Sequence, residues 1–394
     1  MKVAFLVQRG FDLRGASFGG SPSVLYIFRR LVERGHTPIL IVPSDREGEE
    51  IFEGGKIFYV KDTVNPKDIY AGLLKVVGKA IGNFASVFRF KKIVDREKPE
   101  LIIYQPSLLA ALSLLIKYSF SKTKFVFRHE DSIANLARIR GAKGMQLLLP
   151  KFLEWFYCFF SDHILTSQRE LTAILIEQYG KFGIPKSKIT AVPYSVDFSI
   201  FMKKRNKTLK QKKIRYKFLY TGGIGYRQDI PEFLSLVLPV LKKRKDLEFL
   251  FVGKEQNNSL STFIKRNGLY NTIKILPSIE YGKIPELIRS VDFGLTILKN
   301  DQGLNYSVPS KTIEYIASGK PVLAYGPPGG KLDQLISGFR AGIFLRKDLD
   351  IFNQMEQLIR NRQRFTMNTK KAVNSEVFGT ADTFIDVCEK LLKL

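Results

Sequence analysis

Short continuous apolar runs alternate with amphipathic stretches along almost the whole chain. The first run is 3–7 (VAFLV) and the second is 37–43 (TPILIVP). Between them, 23–36 (SVLYIFRRLVERGH) spaces its apolar residues as a helix does, and Gly35 ends it at the left-handed position helix ends favour. Further runs at 101–104, 124–127, 163–166 and 189–192 are separated by helical patterns. These runs are apolar throughout instead of alternating, which predicts strands buried on both faces: a parallel sheet covered by helices. The stretch 106–116 (PSLLAALSLLI) reads as a buried helix, since no apolar run reaches the ~18 residues that span a bilayer. The pattern breaks at 203–217 (KKRNKTLKQKKIRYK), nine basic residues with no acid. That segment is either a solvated linker or a phosphate-binding strip. Alternation restarts at 218–225 (FLYTGGIG), with strands expected at 248–252, 273–276, 292–298 and 321–325 and an amphipathic helix at about 374–392.

The predicted fold class is therefore α/β, with two Rossmann-like domains whose parallel sheets face each other across a cleft. The expected boundaries are 1–202 for the first domain, 203–217 for the basic linker, 218–373 for the second domain and 374–394 for a C-terminal helix that packs back on one half. A length of 394 residues also exceeds one ordinary core. Open α/β sheets bind ligands at the carboxyl ends of their strands, so the loops there are where chemistry is sought.

The formal net charge of +26 predicts an anionic partner: nucleic acid, a phosphate-rich substrate or an acidic membrane face. Two distant cysteines, Cys158 and Cys388, form neither a zinc nor a disulfide framework, which fits a reducing cytosol. The N-terminal MKVAFLVQRG has only five apolar residues before Gln8 and Arg9 and reads as a strand, not a signal peptide.

Four loops carry candidate chemistry. In 9–23 (RGFDLRGASFGGSPS), Gly19 and Gly20 let backbone approach a ligand ahead of a helix N-terminus, though the GxGxxG spacing of dinucleotide folds is absent. In 125–132 (FVFRHEDS), a strand delivers His129, Glu130 and Asp131 to the sheet edge. A neutral imidazole there can donate to a sugar hydroxyl, and a charged one can offset phosphate. The other reading is a hydrogen-bonded surface histidine; His36 and His163 read as structural. In 220–233 (YTGGIGYRQDIPEF), Gly222 and Gly223 with Arg227 make either a pyrophosphate cradle or a plain glycine turn.

The fourth loop leads into 308–326 (VPSKTIEYIASGKPVLAYG), where Pro309 suits a first helical turn and Ile313, Ile316 and Ala317 form the buried stripe. Ser310, Glu314, Ala317 and Ser318 share a neighbouring face of small groups. Glu314 is placed to accept two hydrogen bonds from a ribose diol. Alternatively it is a surface glutamate paired with Lys311, worth ~0.3–0.5 kcal/mol. The nearby GPPGGK (326–331) is no P-loop, because its glycine interval is too short and Leu332 follows the lysine.

The segments GGSPSVLYIFRRLVERGHTPILIV, HED, SDHILTSQRELTAIL, ITAVPYSVD, FLYTGGIG and PSKTIEYIASGKPVLA occur in an order that resembles the family 4 glycosyltransferases over nearly the whole chain. The resemblance implies a GT-B fold. It implies a UDP-sugar or GDP-sugar donor held mainly by the second domain and a sugar or lipid-linked acceptor held mainly by the first. It also implies a retaining hexosyl transfer with no cofactor or metal, in cytoplasmic synthesis of cell-surface glycan, polysaccharide, lipopolysaccharide or glycolipid. Carried over by position, Glu314 would hold the ribose and His129 would lie near the donor sugar. Gly19 and Gly20 would border the phosphates and acceptor, and Ser310 and Lys311 would lie beside the donor. Two positions depart from the family pattern. Tyr306 stands eight residues before Glu314 where an acid is usual, and Gly223 stands where an arginine is expected, leaving Arg227 as the basic candidate of that loop.

Residues 136–160 mix Arg138, Arg140, Lys143 and Lys151 with leucines, phenylalanines, Trp155 and Tyr157. This suits a helix at an anionic membrane interface, with salt-sensitive liposome binding, or a buried helix pair with its lysines outward. Two competing functions remain: a nucleotide-sugar epimerase of the same fold, and a basic nucleic-acid-binding protein. The latter rests on charge alone, without a zinc finger, RNP-like strand or basic recognition helix.

Overall fold

The computed structural model describes residues 1–9, 11, 21–62, 84–120, 122–202, 215–373 and 378–393. Strands β1 (Lys2–Leu6), β2 (Thr37–Ser44), β3 (Gly48–Phe52), β4 (Gly55–Lys61), β5 (Leu101–Tyr104), β6 (Lys124–His129), β7 (His163–Thr166) and β8 (Ile189–Ala191) form one sheet in the order β3-β4-β2-β1-β5-β6-β7-β8. Every pairing is parallel except β3 with β4. The central strands are buried end to end, as their unbroken apolar sequence requires; Val3, Ile39, Ile102 and Phe127 are all but inaccessible.

A second, wholly parallel sheet contains β9 (Tyr216–Thr221), β10 (Leu247–Val252), β11 (Ile273–Leu276), β12 (Phe293–Ile297), β13 (Val322–Tyr325) and β14 (Gly342–Phe344), in the order β11-β10-β9-β12-β13-β14. This is a doubly wound order, with its topological switch between β9 and β12. Stacked Phe218, Phe249 and Phe293, on three adjacent strands, fill one layer beneath the helices.

The described residues of Met1–Phe11, Ser23–Ser195 and Gly379–Leu394 form one compact unit, and those of Val196–Phe378 form the other. The boundary expected at 202 therefore moves to 195. The short helix Phe198–Met202 belongs with the second unit, where the Phe201 ring meets Tyr281 edge-on and Ile200 O accepts from Arg289. Most of the expected linker lies outside the described residues, and its last two residues, Tyr216 and Lys217, already pair in β9.

The helix Ala381–Lys393 packs on the first unit through buried Phe384, Ile385, Cys388 and Leu391, with Phe384 stacked on Phe5 at 6.3 Å. Each such side chain contributes roughly 1.5–3 kcal/mol on full burial, more than the screened ion pairs at the rim. Those pairs join Arg30 and Arg34 to Asp382, Asp386 and Glu389. His36 belongs to this seam too, its Nε2 3.0 Å from Glu389.

Candidate active site

In the second unit, the strand ends at the switch point bring together residues far apart in sequence. β9 ends in Thr221, and Gly222 follows with φ +105, its N–H donating to Val252 O at 2.9 Å. Its carbonyl presses on Gly253 (φ +156) at the end of β10, where a Cβ would overlap that oxygen. Both positions require glycine. Gly222 and Gly223 are exposed, so their backbone is open to a ligand.

The helix Ser310–Ala317 leaves the loop after β12 and points its first turn at this backbone. Pro309 caps it with extended geometry. Gly319, at φ +70, ends it, and the Lys320 N–H returns to Tyr315 O at 2.9 Å. The helix is buried on more than its expected stripe. Ile313, Ile316 and Ala317 are buried, and so are Thr312, Glu314 and Tyr315. Tyr315 fits because Gly294 of β12 has no side chain to obstruct its ring, and its hydroxyl accepts from Thr221 N at 3.0 Å. That bond fastens the helix to the end of β9.

This fastening sets the charges. Lys311 is half-buried, with Nζ 3.5 Å from the centroid of the Tyr220 ring and 3.4 Å from where a Cβ on Gly222 would stand. The Tyr220 hydroxyl in turn donates to Gly223 O at 2.7 Å. Burial pushes the Lys311 ammonium down to about 7, with Glu314 opposing the fall and the Arg227 charge adding to it. Burial likewise pushes the Glu314 carboxyl up to about 7, against the hydrogen bond from Tyr281 and the nearby Lys311. Tyr281 donates to Glu314 Oε1 at 3.1 Å. Arg227 is half-buried and its Nη2 reaches Ser307 Oγ at 3.2 Å. Gly222, Gly223, Arg227, Ser310, Lys311 and Glu314 thus lie around one strand end. Tyr306 is buried, so its position supplies no carboxylate.

The glycine-rich 326–331 segment does not resemble this site. The N–H of Gly329 donates to Asp333 Oδ2 at 2.7 Å, and Arg346 pairs with the same carboxylate at 2.8 Å. A side chain already occupies the place where a phosphate would bind.

In the first unit, His129 ends β6 but is wholly buried, its ring edge-on to Phe127. Its Nε2 lies 2.8 Å from Glu154 Oε1. Glu154, also inaccessible, accepts in addition from Ile133 N (2.6 Å), Ser132 Oγ (3.2 Å) and the Tyr179 hydroxyl (2.9 Å). Four groups converge on this carboxylate, so His129 Nε2 is already engaged. The alternative reading of a surface histidine is corrected here, since the ring is inaccessible, and Nδ1 is the ring nitrogen left for another partner. Arg128, also buried, reaches Ser23 Oγ and Glu130 Oε1, both at 2.9 Å. It lines a small pocket at the ends of β6, β7 and β8, together with Glu130, Ser167, Tyr194 and Phe384. Gly19 and Gly20 lie outside the described residues. Among the described residues, no group of three or more His, Cys, Asp or Glu side chains is placed to hold a metal.

Sequence reasoning missed Tyr220, Tyr281, Gly253, Glu154 and Arg128. For Gly253 a signal existed, a glycine directly after an apolar strand; the others are long-range contacts.

Two doubly wound sheets in one chain are the architecture of GT-B glycosyltransferases. Residues 19–199 match the model of Glycosyltransferase Family 4 and residues 201–374 that of Glycosyl transferases group 1, so the chain belongs to this family of glycosyltransferases. Both descriptions name sugar transfer, and neither names epimerisation or nucleic-acid binding. Sucrose-phosphate synthase from Thermosynechococcus elongatus shares the fold at TM-score 0.73 and 12% identity, with 100% of each chain covered. Anabaena Alr3699/HepE, solved with UDP-glucose, aligns at TM-score 0.70 and 14% identity over 100% of each chain. WaaG, a glycosyltransferase involved in lipopolysaccharide biosynthesis, aligns at 0.69 and 12% identity over 98% of this chain and 99% of its own. No curated protein matches in the sequence comparison.

Proposed function

We propose that the chain transfers a hexose from a nucleoside diphosphate sugar to a hydroxyl of a sugar or lipid-linked acceptor, with retained anomeric configuration and without a metal or cofactor. One arrangement carries this reading: Arg227, Lys311 and Glu314 gathered at the exposed Gly222–Gly223 backbone. Breaking the bond from C1 to the diphosphate leaves an electron pair on the phosphate oxygen and positive charge on the sugar ring. Backbone N–H groups and the two cations stabilise the first, in the role a metal would otherwise fill. The acceptor oxygen bonds to C1 on the face the diphosphate leaves, and its proton passes to the departing phosphate oxygen. Ser310, at the helix start, lies beside the phosphates.

Glu314 holds the ribose diol. Tyr281 fixes one oxygen and orients the carboxylate for that contact. Lys311 supplies the second cation that Gly223 cannot, and the pair spans the diphosphate from the loop and from the helix. His129, held by Glu154, fixes the end of β6 in the first unit. Alr3699/HepE was solved with UDP-glucose and an alpha-glucosyltransferase with UDP, which makes UDP-glucose the first donor to test, ahead of GDP-sugars. The similarity to WaaG supports a place in cell-surface glycan or lipopolysaccharide synthesis, at the cytoplasmic face.

A thermal-shift screen with UDP, GDP, ADP and their sugar conjugates tests the reading. A ligand at a hundred times its dissociation constant adds roughly 2.7 kcal/mol of stability. Stabilisation by one nucleotide, lost in Glu314→Gln, supports it; equal stabilisation of both proteins overturns the Glu314 assignment. Product analysis by NMR then reads the anomeric configuration, and activity unchanged by EDTA supports the metal-free step.

A further inference from the structure

The helix Leu148–Phe160 is apolar on two sides. One side carries buried Pro150, Phe156, Tyr157 and Cys158 into the first unit's core. The other side carries Leu148, Phe152, Trp155 and Phe159, spaced at four, seven and eleven residues along one stripe. Leu148, Phe152 and Phe159 are exposed, with Phe152 at 54%. Trp155 lies between them, its ring 5.7 Å from Phe152 and stacked 5.1 Å from Phe159. Two further apolar tips extend the stripe: Met145 at 85% exposure and Phe182 at 63%. Trp155 Nε1 donates to Phe182 O at 3.0 Å, which joins the second segment to the helix.

Basic residues predominate on the segments that carry this stripe, with Asp162 and Glu177 the exposed acids beside them. Arg138, Arg140, Lys143, Lys151, Lys181 and Lys186 are exposed. Between 132 and 161 the one carboxylate is Glu154, which is fully buried. A helix whose second apolar face meets solvent among mostly basic neighbours has the composition of an interfacial helix, with aromatic groups at headgroup depth and basic groups on phosphate. Among the described residues no helix is long and apolar enough to cross a membrane, so the contact is lateral.

We propose that the face formed by Met145, Leu148, Phe152, Trp155, Phe159 and Phe182 docks on a lipid bilayer carrying anionic headgroups. Charge complementarity selects that occupant. This surface lies in the first unit and does not depend on what the second unit binds, so its test and the nucleotide test fail separately.

Trp155 is the single tryptophan of the chain, so its emission reports from within the surface. The full-length protein is mixed with vesicles of phosphatidylcholine alone, or of phosphatidylcholine with phosphatidylglycerol, both prepared with and without brominated acyl chains. The expected result is a blue shift and bromine quenching with the phosphatidylglycerol vesicles alone, weakened by added salt. Met145→Ser with Phe152→Ser, both exposed and away from the core, should lower vesicle affinity at least tenfold with the thermal unfolding curve unchanged. Lys143→Ser with Lys151→Ser should do the same. Absence of quenching overturns the proposal, whether the protein stays in solution or co-sediments through charge alone. A protein that binds both vesicle types equally, or that binds only another protein, overturns it as well.

Discussion

Lys311 Nζ sits above the Tyr220 ring at 3.5 Å, and Glu314 follows Lys311 by one helical turn on the same buried helix. The ring faces the amine with its negative π-surface, which favours the cation where water is scarce. The carboxylate restores part of what burial takes away. One short helix therefore presents a cation and an acid side by side, and its fastening to Thr221 keeps them in register with the glycine loop.

Removing charge from the pair should act on the donor rather than on the fold. Glu314→Gln keeps the shape and the bond from Tyr281. A charge-assisted hydrogen bond is worth about 1.5–3 kcal/mol, so nucleotide affinity should fall roughly tenfold to a hundredfold. Calorimetric titration with UDP checks this, and a loss under twofold would move the ribose elsewhere.

The two cations should prove interdependent. Arg227→Ala and Lys311→Ala each remove one stabiliser of the departing diphosphate, and loss of one such donor typically costs about 10²–10³ in kcat. They act on the same group, so the double variant should lose less than the product of the single losses. A double-mutant cycle on kcat measures this; strict additivity would mean that the two side chains serve different charges.

The same pair sets a pH window. Lys311 loses its proton above about 7 in the free protein and must regain one to face a diphosphate, so affinity should fall by up to tenfold per pH unit on the alkaline side. Glu314 gains a proton below about 7 and must lose it to accept from a diol, so affinity should fall on the acid side too. Donor binding should peak near pH 7. Lys311→Arg, whose cation does not titrate in this range, should flatten the alkaline limb alone. Dissociation constants measured from pH 5 to 9 decide it.

How much of this was readable from sequence depends on contact range. β5 lies where its apolar run places it, because a strand buried on both faces writes its position as uninterrupted hydrophobicity; β7 and β11 also fall at 163–166 and 273–276, though in β11 only Ile273 is buried. β3 escaped notice: its GEEIF has four exposed residues and pairs only at the sheet edge, so little burial marks it. The helix that carries Lys311 and Glu314 was legible through Pro309 at its start and Gly319 at its end. Tyr281, 33 residues before Glu314, and Glu154, 25 after His129, were not. They meet their partners only through tertiary packing, which periodicity does not encode. For His129 the strand-end position was visible in the sequence, but its full burial against the Glu154 carboxylate was not.

Glu154 should accordingly be a stability residue. Glu154→Ala leaves His129, Tyr179, Ser132 and the Ile133 N–H facing an empty site. Breaking a buried pair of this kind costs about 3–5 kcal/mol. Trp155 on the same helix reports unfolding of the first unit, so urea denaturation followed by its emission should show a lower midpoint. A variant as stable as the parent would mean that water replaces the carboxylate.

Gly253 offers a separate handle on the donor loop, because it acts through backbone and carries no charge. Its φ of +156 already disfavours any side chain, and a Cβ there would meet the Gly222 carbonyl. Gly253→Ala must therefore push β9 and its glycines away from β10, shifting the Gly222 N–H that now reaches Val252 O. Lys311 stands over that same glycine, so the cation and the backbone cradle should part together. Strain of this type costs about 1–3 kcal/mol. UDP affinity should drop by at least tenfold in Gly253→Ala, while Gly282→Ala, a change at a position with open space, should leave it unaltered. Equal affinity in both variants would show that the loop after β9 does not carry the phosphates.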